Sequence, residues 1–349
     1  MQLDHSALFA KALNDRLNAY FHDNSISTKG NFLMIVKIIT ALLWWVISYL
    51  LIFVMSTSPL EFIALYLLHG LSHVYLAFNV GHDAVHGSIS TSKFINTCLS
   101  YSFDILGINS YMWKRTHHAG HHACLNVPQE DISLQTAGII RLSNGEPIKK
   151  VHIFQHGYVF IIYALYLFYY VFVKDFECFL SNSKKHWKPT SPPMIEWIKL
   201  IVAKAFYLLY MLAIPIYLLP FETHVVIAAF CITLTIIGLI VSFTFQTTHI
   251  IDTTYYPKSR IEYENYIFHV FATTADYATS NPLAHWFLGG LNTHVIHHLR
   301  ADICHTHYPA LTSIVKATAA EFGIHYRQNR TFLSAIKAHL RQLKILGKE

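Results

Sequence analysis

The chain has 349 residues, 53% of them hydrophobic and only 13% charged, with a formal net charge of +6 at pH 7. A soluble globular protein carries roughly twice that share of charge, so the composition argues against an ordinary soluble enzyme and for a polytopic membrane protein. The positive excess fits basic loops on a cytosolic face, and no Lys/Arg-rich arm or nucleic-acid motif accompanies it, so nucleic acid is not an expected partner. Five scattered cysteines (Cys98, Cys124, Cys178, Cys231, Cys304) form no Cys-x-x-Cys pair and suggest reduced thiols.

In chain order, residues 1–30 are polar and mixed in charge, unlike a cleavable signal peptide, and read as a partly helical segment. Ile38 to Met55 is apolar, with Lys37 placed to snorkel to the headgroups. A turn around Pro59 leads into Phe62–Phe78, interrupted by His69 and His73, which read as core residues. About 20 residues cross the hydrocarbon core, so 38–78 reads as a transmembrane hairpin. Residues 79–152 carry two histidine clusters and read as water-facing. Within them Phe94–Trp113 is broken by Asp104, Gly107 and Asn109, so it reads as interfacial or packed.

Three apolar runs come next: Ile153–Val173, Leu200–Leu219 with Lys204 near enough to its start to snorkel, and His224–His249. If all histidine clusters share one face, an even number of spans separates His122 from His249. The segment Lys174–Lys199 holds Lys184, Lys185 and Lys188, while the turn Pro220–Thr223 has no basic residue. Lys-rich short loops stay cytosolic. The consistent solution makes 200–249 a second hairpin and lays 153–173 in the interface or as a re-entrant segment. After residue 250 the chain is polar again, and Ala310, Leu311, Ile314, Val315 and Ala317 recur at helical spacing. The expected fold over 1–349 is a single all-α integral membrane domain. It has four transmembrane helices in two hairpins, interfacial helices, and a helical cytosolic cap over 250–349, with both termini cytosolic.

The chemistry-bearing residues are the histidines. His82 and His86 are i, i+4 neighbours on a helix, and so are His117 and His121. His122 sits about 100° around from His121. His294, His297 and His298 are spaced i, i+3, i+4, and His249 closes the last apolar run. Each cluster is expected to face a site from one helix, the tandem pairs bridging two metals. Imidazole binds Fe, Zn, Cu and Ni, and one ion cannot use eight or nine imidazoles. The count therefore predicts a pair of ions beside a membrane, suited to chemistry on a lipid. The isolated histidines, His152, His186, His269 and His339 among them, read as satisfied core residues.

The strings Asn79-Val80-Gly81-His82-Asp83-Ala84-Val85-His86-Gly87, Trp113–Asp131 with its HHAGHH core, and Gly289–Leu299 followed by His307-Tyr308-Pro309 resemble the three histidine boxes of the membrane fatty acid desaturases. Phe245–His249 is similar to a segment that supplies a further ligand there. The resemblance runs from about residue 60 to the C-terminus. It implies a non-haem di-iron site ligated by His82, His86, His117, His121, His122, His249, His294, His297 and His298, with dioxygen as co-substrate. It leaves His118 as a spare, a candidate to support a neighbouring ligand ring. Asp83, Asn126, Asp131 and Asn292 are candidates to orient ligand imidazoles through the second ring nitrogen. Many members that desaturate near the carboxyl end have Gln at the position of His294, so the sequence leaves the regiochemistry open.

The implied activity is insertion of a cis double bond into a fatty acyl chain linked to coenzyme A, lipid or a carrier protein. No GxGxxG comes after a strand, and no His-Pro-Gly-Gly of a fused cytochrome b5 is present. A separate electron donor is therefore expected, a ferredoxin or cytochrome b5 with its reductase, docking near Lys114, Arg115, Lys149, Lys150 and Arg300. The expected setting is a bacterial inner membrane or the endoplasmic reticulum. The nearest alternative is a fatty acyl or lipid hydroxylase on the same scaffold. A histidine-rich metal transporter would need ligands along the spans, and a zinc hydrolase would use only about three protein ligands.

Overall fold

The computed structural model describes residues 5–180, 192–260, 262–263 and 265–348. Lys184, Lys185, Lys188 and His186 lie outside the described residues. The described residues are mostly helical, and among them five helices are long and apolar enough to cross a membrane. After α1 (His5–Asp23) these are α2 (Phe32–Met55), α3 (Pro59–His86), α7 (Lys150–Leu180), α8 (Met194–Leu218) and α9 (Thr223–His249). Between α3 and α7 lie α4 (Lys93–Ser100), α5 (Ser102–Ile105) and α6 (Ser110–His118), three short pieces where Gly107 and Asn109 interrupt the apolar run. After α9 come α10 (Tyr266–Thr273), α11 (Pro282–Leu288), α12 (His294–Leu299), α13 (Tyr308–Glu321) and α14 (Phe332–Leu346). Two short strands, β1 (Asp276–Tyr277) and β2 (Gln328–Asn329), pair in parallel.

The stretch 153–173 belongs to a helix running from Lys150 to Leu180, long and apolar enough to cross a membrane. Sequence and structure differ at two lysines. Lys37 and Lys204 are 1% and 7% exposed, so neither snorkels. Lys204 Nζ lies 2.7 Å from Asp175 Oδ2 and donates to the Gly107 carbonyl at 2.6 Å. An ammonium with a carboxylate and a carbonyl around it meets its desolvation cost inside the protein.

The chain divides into two compact units. One comprises Phe32–Thr116 and Phe160–Ser242. Here Pro59 stands at the start of α3, where its missing N–H costs nothing. Ser58 and Glu61 close a capping box with the Glu61 N–H donating to Ser58 Oγ at 3.3 Å. Packing is close enough that a Cβ on Gly70 would fall 2.2 Å from Thr233 Cγ2. His69 and His73 are buried in α3 with their Nε2 atoms 3.1 Å apart. His69 Nδ1 pairs with Ser48 Oγ at 3.0 Å, and Ser48 donates to the Trp44 carbonyl at 2.6 Å. Tyr210 Oη lies 3.4 Å from His73 Nε2 and donates to the Ile105 carbonyl at 3.0 Å. Both ends of this chain of bonds close on backbone acceptors, as expected of satisfied core histidines.

The other unit comprises Met1–Asn31, His117–Val159 and Phe243–Glu349. Its core joins Phe9, Leu13 and Leu17 of α1 to Val295, Ile296, Leu311 and Val315, and Arg16 pairs with Glu321 at 2.7 Å. The face of α13 that packs on α1 accounts for the helical spacing of apolar residues from Ala310 to Ala317. Isolated histidines here are satisfied: His269 Nε2 donates to the Leu125 carbonyl at 2.7 Å and His339 Nδ1 to that of Ile250 at 2.7 Å.

Candidate metal centre

Three local folds present the histidines. The first is the end of α3, where residues Ala77–Gly81 form a π turn with the His82 N–H donating to the Ala77 carbonyl. A π turn inserts one extra residue and re-aims the side chains beyond it. Gly81 permits it: a Cβ there would meet Ser102 Oγ at 2.9 Å and the Phe103 ring at 3.0 Å. His82 and His86 then occupy the last helical turn, ring centroids 4.8 Å apart, and Gly87 at φ 69° ends it. The first cluster is thus the end of the long apolar helix Pro59–His86. Asp83 is buried, with Oδ1 3.6 Å from His82 Nδ1. Trp113 packs edge-on to His82 at 5.8 Å.

The second departs from the single-helix expectation. α6 ends at His118, because Gly120 breaks the helix. His121 has φ −129° and ψ −66°, and His122 opens a 3₁₀ turn to Cys124. Only His117 and His118 are on the α-helix. The His121 ring is placed by Asp131, whose Oδ1 and Oδ2 lie 3.0 and 3.1 Å from Nδ1. Asp131 also accepts the Ser133 N–H at 2.8 Å and the Asn126 N–H at 2.9 Å. Burial alone would raise the Asp131 pKa, but His121 and Ser133 outweigh it and hold it below the usual carboxylate value.

The third is α12, six residues from His294 to Leu299, entered through Gly289 and Gly290 at φ 59° and 76°. A Cβ on Gly290 would meet His305 Cβ and Tyr308 Cδ2 at 2.9 Å. Here the expected i, i+3, i+4 pattern holds. His249, at the end of α9, comes to the same place.

Within this unit the rings converge. One ring nitrogen each from His121, His249, His294 and His298 all lie within 4.8 Å of one another, and so do those of His122, His297 and His298. His122 Nε2 is 3.1 Å from His117 Nε2 and 3.1 Å from His297 Nε2, and His298 Nε2 is 3.1 Å from His249 Nε2. Of the two tandem pairs only one parts: His121 joins the first group and His122 the second, while His297 and His298 both belong to the second and His298 to the first as well. His118 belongs to neither.

The outer bonds set the tautomers. His121 Nδ1 faces a carboxylate, His249 Nδ1 the Thr273 carbonyl at 3.2 Å, and His294 Nδ1 the Leu291 carbonyl at 3.1 Å. Those oxygens only accept, so Nδ1 carries the hydrogen and Nε2 presents a lone pair inward. Burial, and then the neighbouring His122, His294, His249 and His297, hold the His298 pKa well below the ordinary histidine value, so the ring is neutral. Neutral imidazoles aimed at a common point are what a transition metal requires.

Of the polar residues expected to orient rings, Asp131 does so directly. Asn126 and Asn292 act on the backbone instead. Asn126 Nδ2 donates to the carbonyls of His249, Tyr255 and Thr273 at 2.8, 3.2 and 3.3 Å. Asn292 Nδ2 donates to those of Tyr277 and Ala278 at 3.2 and 3.3 Å. The carbonyls of Thr273 and Leu291 were not legible in sequence, since every residue has one. Tyr308 was legible as part of a motif, but its hydroxyl, 3.4 Å from His297 Nδ1, was not assigned a partner.

Comparison with known proteins gives a consistent result. A family model described as fatty acid desaturase matches residues 56–330. The chain is 32% identical to an sn-1 linoleoyl-lipid 6-desaturase of Synechocystis sp., covering 97% of this chain and 96% of that protein. It is 29% identical to the sn-1 linoleoyl-lipid 6-desaturase of Arthrospira platensis, covering 96% and 92%. It is 28% identical to an acyl-lipid (8-3)-desaturase of Physcomitrium patens, covering 97% of this chain and 72% of that longer protein.

Proposed function

Given that this chain belongs to the fatty acid desaturase family, we propose that it inserts a cis double bond into an acyl chain esterified to a membrane lipid. In the balanced reaction two hydrogens leave adjacent methylenes, dioxygen is reduced to two waters, and two electrons and two protons are taken up. The choice of a lipid-linked substrate rests on the relatives' names. The observation that carries the reading is the convergence of His121, His249, His294 and His298, the first three with their Nδ1 atoms bonded outward and Nε2 left inward.

The donor set fits iron, which accepts imidazole readily. In this reading two iron ions are held by His82, His86, His117, His121, His122, His249, His294, His297 and His298. When bound, they supply the capacity to activate dioxygen against an unactivated C–H bond. The chain's own work is to hold neutral rings in place and to exclude water. Asp131 fixes the His121 ring, and Asn126 fixes the His249 backbone. Asp83 and His118 are proposed to support the neighbouring ligand rings. Electrons come from a separate ferredoxin or cytochrome b5. Four spans, with α7 in the interface and the histidines and both termini cytosolic, complete the proposal.

Fatty-acid profiling of a host expressing the chain tests it. The expected outcome is a new acyl species two mass units lighter than its precursor. A gain of one oxygen would instead support a hydroxylase, and metal uptake with unchanged acyl chains a transporter.

A further inference from the structure

α12 carries three of the proposed ligands yet has only six residues, too few to hold helical form alone. Its N-cap, Thr293, makes no side-chain capping bond. The first-turn amide of Val295, buried and without a partner inside the helix, donates instead to Asp276 Oδ1 at 2.8 Å, from a residue 19 positions earlier in the chain. A carboxylate suits this place because the N-terminal amides present partial positive charge. Asp276 is buried, and its other oxygen accepts the Tyr326 hydroxyl.

The segment around Asp276 also grips the other ligand-bearing element. The Ala275 N–H donates to the Thr248 carbonyl at 2.8 Å, next to His249. The Thr273 carbonyl accepts His249 Nδ1. Tyr277 N–H donates to the Asn292 carbonyl at 3.0 Å, and Asn292 Nδ2 returns a bond to the Tyr277 carbonyl. On its far side the segment is pinned to β2, with Asp276 N–H donating to the Arg327 carbonyl and Ala278 N–H to that of Asn329, both at 3.0 Å. Residues 273–278 are therefore a strap bonded to the end of α9 on one side and to the start of α12 on the other.

We propose that Asp276 is a positioning residue for the metal centre: through this strap it sets the register of His294 and His298 against His249. The role rests on the proposed ligand set. His249 and His294 come from elements 45 positions apart in sequence, and β1–β2, the strand pairing among the described residues, anchors the strap that joins them.

The test uses full-length protein purified in detergent and loaded with ferrous iron. Bound iron per chain is measured, together with the rate of iron loss to an excess chelator and the optical or Mössbauer signature. Size-exclusion profile monitors the fold. Wild type is expected to hold two irons. Asp276→Ala is expected to lose iron about tenfold faster, within the range that outer partners of metal ligands command, with an altered spectrum. Asp276→Asn keeps an acceptor for the Val295 N–H and is expected to restore most of the retention. Tyr326→Phe, which leaves the capping oxygen in place, is expected to speed iron loss by a smaller factor. If Asp276→Ala does not fold, Asp276→Asn and Tyr326→Phe carry the test. Iron loss and spectra unchanged from wild type in every folded variant would overturn the role of Asp276 alone. A wild type that binds no iron would overturn the ligand set and this role with it.

Discussion

Two sets of buried histidines occupy the two units of this molecule, and at first sight they look alike. His298 and His249 bring their Nε2 atoms to 3.1 Å, and so do His73 and His69. What differs is the second ring nitrogen and the number of elements that converge. Around His249 the outer partners are carbonyls and a carboxylate that leave Nε2 lone pairs inward, and four rings arrive from three separate stretches of chain. His69 and His73 come from one helix, and their network closes on Ser48 and Tyr210, each of whose hydroxyls donates to a backbone carbonyl. An ionisable residue in a span is a functional suspect by default. Here a close imidazole pair becomes a metal site only where outer acceptors and extra rings accompany it.

The hardest test of that contrast removes a ligand. His86→Ala, His121→Ala and His298→Ala are each expected to abolish desaturated product while the protein stays in the membrane. Full activity in any one of them, read by acyl-chain mass spectrometry, would break the ligand set. A smaller effect is expected from Asp131→Asn, which withdraws the carboxylate from His121 Nδ1. Iron affinity should fall by about 10- to 100-fold, measured by chelator competition, with His121 still present. The smallest effect is expected from His69→Leu combined with His73→Leu. Ser48 and Tyr210 keep their carbonyl acceptors after this change, so no buried polar group is orphaned, and removing both partners of a hydrogen bond is nearly neutral. Iron content and product should match wild type, with a thermal midpoint within about 4 °C. Loss of iron in the double variant would show that the two histidine sets are not functionally distinct.

Much of the fold is written in the hydropathy. The apolar runs, the helix breaks at Pro59 and Pro220, and the helices near the C-terminus all arise from spacing and composition. The limits of hydropathy are equally specific. Lys204 sits where a snorkelling lysine would, and only the approach of Asp175 from another helix makes burial favourable. His121 shares i, i+4 spacing with His117, yet Gly120 ends the helix between them and Asp131 aims the ring. Asn126 has the chemistry of an imidazole partner and serves instead as a three-way backbone clasp.

From its residues alone this chain determined that it is a helical membrane protein and that its histidine clusters are able to bind metal, because apolar periodicity and ligand type are local properties. Which ring nitrogens face inward, which histidine joins which group, and how a six-residue helix is held against the end of a long one were decided only by tertiary structure. The partners that settle them, Thr273, Leu291 and Asp276, act through single carbonyls and one capping carboxylate whose meaning depends on where the fold delivers them.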